Sequence, residues 1–167
     1  MTVFATLGAL TFVSKVALSA LPNVHLAGLL IMVYTLVFRV KALFPLYVYV
    51  LLEGIVYGFT VWWVPYLYVW TVLWGVTMLL PKKMPRRLCF VVYPVVCGLF
   101  GLCFGTLFAP GFALLTHMSR QGMFAWIVNG LPFDAIHGAA NLALGFLIVP
   151  LSDLLRKLWE QGTSSRS

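Results

Sequence analysis

The chain has 167 residues, of which 62% are hydrophobic and only 9% charged, and its mean hydropathy is +1.01. A soluble domain carries about 25% charged residues, so the composition excludes an ordinary water-soluble fold and points to an integral membrane protein. At about 20 residues per span the chain accommodates six helices with short links, read as one membrane domain over 1–167 with no soluble domain beside it.

The first span is predicted over 3–21, ending at Pro22-Asn23. It carries Ala5-x-x-x-Ala9 and a single cation, Lys15. It lacks the basic start of a cleavable signal peptide and is expected to be retained. A short second span, 26–38, stops at Arg39 and Lys41. The third, 42–60, contains Glu53 and Gly54-x-x-x-Gly58. The fourth, 62–80, opens with an aromatic cluster, Trp62, Trp63, Tyr66, Tyr68, Trp70 and Trp74. After the basic run Pro81-Lys-Lys-Met-Pro-Arg-Arg87 the fifth span covers 88–108, with Gly98, Gly101, Gly105 and the three cysteines Cys89, Cys97 and Cys103. Those cysteines match no zinc spacing and read as packing residues.

The segment 109–130 is the longest predicted connection. It is read as a gating loop with a re-entrant or interfacial helix around Phe112–Met118, and with His117 and Arg120 near the mouth of a pocket. Asn129-Gly130 then reads as a turn, Pro132 falls near the first helical turn, and the sixth span runs over 131–151. The remainder, 152–167, reads as a polar tail that frays at its GTSSRS end.

Six spans put Arg39, Lys41, Lys82, Lys83, Arg86, Arg87, Arg156 and Lys157 on one side, with Arg120 alone in a loop on the other. The positive-inside rule makes the basic side cytoplasmic, with both termini in. The net charge of +7 is thereby an orientation signal, and nucleic acid is not an expected partner.

The polar residues inside the spans carry the functional argument. Asp134, His137 and Asn141 stand at i, i+3 and i+7, on one face of the sixth span. Lys15, Glu53 and His137 all fall about 10 Å below the outer surface at 1.5 Å per residue. An ionised group at bilayer depth costs at least a few kcal/mol unless paired or hydrated. Polar groups of three helices at one level therefore point to one cavity open to the outside, with Tyr66 and Trp70 available to stack on a ring.

Each residue also has a structural reading. Lys15 and Glu53 pair across helices, Asp134 caps the first turn of its span, His137 bonds a neighbouring helix, and Asn141 serves as interhelical glue. Tyr66, Trp70 and Trp74 read as packing. HExxH, GxSxG and the nucleotide-binding P-loop are missing from the sequence. Asp134 and His137 alone fall short of a metal site. A non-enzymatic chain without metal or cofactor is expected.

The six-span pattern with Ala5-x-x-x-Ala9, together with the run Gly130-Leu-Pro-Phe-Asp-Ala-Ile-His-Gly-Ala-Ala-Asn141, resembles the substrate-binding (S) component of energy-coupling factor (ECF) transporters. The run from Glu53-Gly54 to Pro65-Tyr-Leu-Tyr-Val-Trp70 is similar to a subgroup of that family. The resemblance implies a multi-pass protein of a prokaryotic plasma membrane that binds a vitamin or other micronutrient near its outer face. It implies docking on a membrane coupling subunit that carries two cytoplasmic ATPases, with Ala5 and Ala9 as docking contacts. The polar residues Lys15, Glu53, Asp134, His137 and Asn141 are then the implied ligand contacts, and the physical argument for ring stacking adds Tyr66 and Trp70. The alternative is a membrane scaffold similar in size to the MreD family of cell-shape proteins, in which the same residues are glue.

Overall fold

The computed structural model describes residues 2–164, apart from the Thr163 side chain, so what was expected of 165–167 lies outside the described residues. Among the described residues the chain is all-helical. Eight α-helices, α1 (Thr2–Ala17), α2 (Ala27–Phe38), α3 (Leu43–Tyr57), α4 (Tyr66–Leu79), α5 (Arg86–Leu102), α6 (Phe104–Leu115), α7 (Arg120–Gly145) and α8 (Ile148–Ser164), are joined by short links and one 3₁₀ turn, Arg39–Ala42.

The helices alternate in direction. Phe4 of α1 meets Phe38 of α2 while Leu7 and Thr11 meet Tyr34, so α1 and α2 are antiparallel. Phe4 also meets Phe44, and Lys15 meets Glu53, so α1 and α3 run parallel. The chain must therefore reverse between α2 and α3, and it does so at Arg39, whose φ is 54°. Tyr49 on Trp70 and Tyr47 on Thr71 set α4 antiparallel to α3. Tyr66 on Phe108 and Trp70 on Phe100 turn the chain again. α6 continues α5 in the same direction, and α7 returns along both, with Trp126 on Phe108 and Gly145 against Pro94.

Among the described residues the bundle has six alternating runs of helix (α1, α2, α3, α4, α5 with α6, and α7), with the basic links and α8 at one end and the links 18–26, 58–65 and 116–119 at the other. Two helical stretches, Ala27–Tyr57 and Arg86–Leu115, are long and apolar enough to cross a membrane. The bent pair Arg120–Gly145 and Ile148–Gly162 makes a third, and Thr2–Ala17 and Tyr66–Leu79 are shorter apolar helices. Within Ala27–Tyr57 the chain reverses at Arg39, so that stretch consists of two shorter apolar helices, α2 and α3, that run antiparallel.

The core sits around α2. Residues Ala27 to Thr35 are buried without a break, followed by Phe38, as suits a helix apolar on every side. The seam between α5–α6 and α7 is set by small residues. A Cβ on Gly101 would stand 2.8 Å from both the Gly138 Cα and the His137 carbonyl oxygen.

The second half departs from expectation. No turn forms at Asn129-Gly130, because α7 starts ten residues before Gly130, at Arg120. The Ser119 side chain accepts the Gly122 N–H at 3.1 Å, capping the helix there. Segment 109–130 is accordingly not a gating loop. It consists of the end of α6, a short link and the first turns of α7. Nor is 152–164 a loose tail. α7 ends at Gly145, the chain bends by 53°, and α8 begins at Ile148. Pro150 is tolerated in its first turn, where a missing N–H leaves no bond unmade. α8 lies across the base of the bundle, with Trp159 against Phe4 and Phe38 and Arg86 donating to Asp153 at 2.7 Å.

Candidate functional site

A cavity of about 260 Å³ lies at the end of the bundle remote from α8. Its walls are aromatic: Tyr49 from α3, Tyr66 and Trp70 from α4, and Phe104 from α6. His137 of α7 reaches it from one side and Lys15, in the last turn of α1, from the other. The link between α1 and α2 closes it, contributing Leu18, Ser19, Leu21, Pro22, Asn23, Val24 and His25. Asn23 takes a φ of 59°, a left-handed turn conformation that asparagine tolerates. That turn lets His25 fold back over the bundle. The segment over the cavity is thus 18–25.

His25 and His137 meet with ring centroids 4.7 Å apart. His25 also contacts Trp70, at 5.9 Å, and His137 contacts Phe104, at 4.9 Å. Burial, then the neighbouring His137, then Lys15 push the His25 pKa from 6.5 down to about 3. The ring is neutral at physiological pH and offers one donor and one acceptor.

Lys15 and Glu53 form the second feature. Lys15 Nζ donates to Glu53 Oε2 at 2.6 Å and lies 5.3 Å and 5.7 Å from the Tyr66 and Tyr57 ring centroids. Glu53 is only 4% exposed, and Lys15 more so at 27%. A second hollow, about 390 Å³, adjoins the pair and shares Lys15, Tyr57 and Tyr66 with the first. Lys15 therefore lines both spaces, while Glu53 lines only the second. Glu53 Oε1 has no hydrogen-bond partner.

Three buried polar atoms without a partner belong to residues that line this cavity: His25 Nδ1, His137 Nε2 and Trp70 Nε1. The Tyr49 hydroxyl lies close to the Glu53 carboxylate. An unsatisfied buried polar atom costs about 1–3 kcal/mol. Such a concentration along one aromatic-walled cavity is the pattern of a preformed site whose partners arrive with a ligand or water.

Asp134 and Asn141 stand elsewhere. Both share the buried face of α7 with His137, as their spacing predicts. Asp134 accepts the Gly105 N–H through Oδ1 at 3.1 Å and Oδ2 at 3.2 Å. Gly105 is in the first turn of α6, so the carboxylate caps that helix from outside, not its own. Asn141 is 1% exposed and packs against Gly28. Neither lines the cavity. Ala5 is exposed and Ala9 half-buried, beside the Gly8 at which α1 closes on α3.

His25, Tyr49, Tyr57 and Phe104 are aromatic lining residues that sequence reasoning passed over. The available signal was a histidine in a short Pro-Asn link between two apolar spans. Among the described residues no three histidine, cysteine or acidic side chains come together as a metal site. No family profile, curated protein or solved structure matches the chain.

Proposed function

We propose that this chain captures a small ring-containing nutrient at the outer face of a prokaryotic plasma membrane and hands it to an ATP-driven coupling module, as an S component of the ECF kind does. In this reading the six alternating runs of helix are six membrane spans, N-in and C-in, with the basic end in the cytoplasm and the cavity near the outside. The observation that carries it is the 260 Å³ aromatic cavity with unpartnered His25, His137 and Trp70 atoms on its wall. Such a space matches a planar polar heterocycle, stacked by Trp70 and Tyr66 and hydrogen-bonded by the two imidazoles. Lys15 adds a cation for a carboxylate or phosphate substituent. A scaffold of the MreD-like kind has no use for such a space. Ala5 and Ala9, off the packed face of α1, supply small-residue contacts for a membrane coupling subunit with its two ATPases.

Native mass spectrometry of the detergent-purified chain, expressed with and without a coupling module, tests the proposal. A stoichiometric small molecule, lost on replacing His25 and His137 together, is the expected result. Absence of any ligand and of module association would overturn it in favour of the scaffold.

A further inference from the structure

The opposite end of the bundle carries a separate cleft of about 370 Å³. Three parts of the chain bring cations to it: Arg39 from the reversal after α2, Lys82 and Arg86 from the link and start of α5, and Arg156 from α8. Its lining contains one carboxylate, Asp153, which Arg86 engages at 2.7 Å. The cleft therefore keeps an excess of positive charge.

Its construction is specific. Arg39 is held at a φ of 54°, costly for a residue other than glycine. Two bonds to α4 fix it there: Arg39 Nη2 donates to the Met78 carbonyl at 2.9 Å, and Trp74 Nε1 donates to the Arg39 carbonyl at 3.1 Å. Ser152 also lines the cleft, 4% exposed, and its hydroxyl has no hydrogen-bond partner. The inner wall is apolar, with Leu36 and Val149. Cations around a buried hydroxyl, above an apolar floor, suit a phosphate group attached to an apolar body.

We propose that this cleft is a phosphate-binding site, taking the phosphodiester headgroup of an anionic phospholipid with its acyl portion along the apolar wall. Free inorganic phosphate shares the chemistry and is the other source to be distinguished. The site is independent of the aromatic cavity at the far end of the bundle.

The test compares two charge-matched variants of the full chain. Lys82→Gln with Arg156→Gln removes one lysine and one arginine from the cleft. Lys83→Gln with Arg87→Gln removes the same charges from neighbouring positions that do not line it. Each protein is placed in nanodiscs of phosphatidylcholine and phosphatidylglycerol and released for native mass spectrometry. The wild type and the Lys83/Arg87 variant should retain one phosphatidylglycerol. The cleft variant should lose about fivefold in retention per cation removed, the equivalent of about 1 kcal/mol each. Sodium phosphate is titrated in neutral detergent in parallel. Displacement of the lipid by phosphate identifies the free anion as a ligand of the same site, whereas lipid retention unchanged by phosphate identifies the headgroup as its source. Equal losses in the two variants, or no preference for phosphatidylglycerol over phosphatidylcholine in the wild type, would overturn the proposal. The charges would then act only as a diffuse basic surface.

Discussion

His25 and His137 touch edge to face across the cavity, with 4.7 Å between ring centroids, although one belongs to a link and the other to the middle of α7. Each keeps a buried nitrogen without a partner. Two imidazoles that satisfy each other would not leave both nitrogens open, so the contact orders the rings without consuming their hydrogen-bonding capacity. Replacing either by phenylalanine retains the ring packing and removes the polar atoms. Each such variant should lower ligand affinity by about tenfold, the equivalent of about 1.4 kcal/mol, with little change in thermal midpoint. Retention of the co-purified molecule by native mass spectrometry reports the first quantity, and a melting curve in detergent the second.

The displaced pKa of His25 predicts a pH dependence with a definite sign. Its folded-state value, about 3, lies below the ordinary 6.5. The unfolded chain therefore takes up a proton that the folded chain refuses once pH drops below about 6.5. Stability is fully present above that value and falls as pH goes from 6.5 toward 3. The groups around His25 are His137, Lys15 and Trp70. Thermal midpoints between pH 7.5 and pH 4.5 should decline in the wild type and decline less in His25→Phe. Parallel slopes in the two proteins would assign the acid sensitivity to other groups.

Lys15 and Glu53 illustrate how far the sequence could be read. Two opposite charges at similar depth in different apolar spans announce a meeting, because either alone at that depth is costly. They do meet, at 2.6 Å. The common face of Asp134, His137 and Asn141 was legible for a related reason, since helical periodicity alone sets it. Asp134's acceptor role was not legible. It depends on the break at Cys103, which frees the Gly105 N–H, and no local rule marks that break. His25 was hidden because a link is read as solvent-facing, whereas this one folds inward through a left-handed Asn23. Asn129-Gly130 misled in the other direction. The pair favours turns in isolation, yet the Ser119 cap starts the helix upstream and packing on α5 and α6 carries it through.

The ion pair gives a double-variant prediction. Lys15→Met alone leaves Glu53, only 4% exposed, without its counter-charge. Breaking a buried pair from one side costs about 3–5 kcal/mol. Partial exposure of Lys15 places this one at the lower end or below. Adding Glu53→Gln to that variant should restore most of the lost stability, because no buried charge is left over. Chemical denaturation of the single and double variants checks this. If the double variant regains its stability but not its ligand, the pair serves binding as well as packing.

The seam between α5 and α7 should be intolerant of a single methyl. A Cβ on Gly101 meets backbone atoms of His137 and Gly138 at 2.8 Å, and neither can move without shifting α7. Gly101→Ala should therefore destabilise by about 1–3 kcal/mol and weaken ligand binding through displaced His137. Gly75 in α4 is the control, since nothing lies within 4 Å of a Cβ added there. Gly75→Ala should be neutral or stabilise by up to about 1 kcal/mol through helix propensity. A Gly101→Ala variant as stable as Gly75→Ala would show that the seam accommodates the methyl despite its geometry.

Asp134 and His137 lie one turn apart on the same buried face, yet they should separate in their readouts. Asp134 gives both carboxylate oxygens to the Gly105 N–H and does not line the cavity. Asp134→Asn keeps one acceptor and should be tolerated. Asp134→Ala strands a buried N–H at the start of α6 and should cost about 1–2 kcal/mol, the range of a lost helix cap. Neither variant should alter ligand retention in protein that remains folded, while His137→Phe should. Measuring melting temperature and ligand retention for all three on one preparation resolves the roles. Loss of ligand from folded Asp134→Asn would move the carboxylate from the helix cap to the binding site.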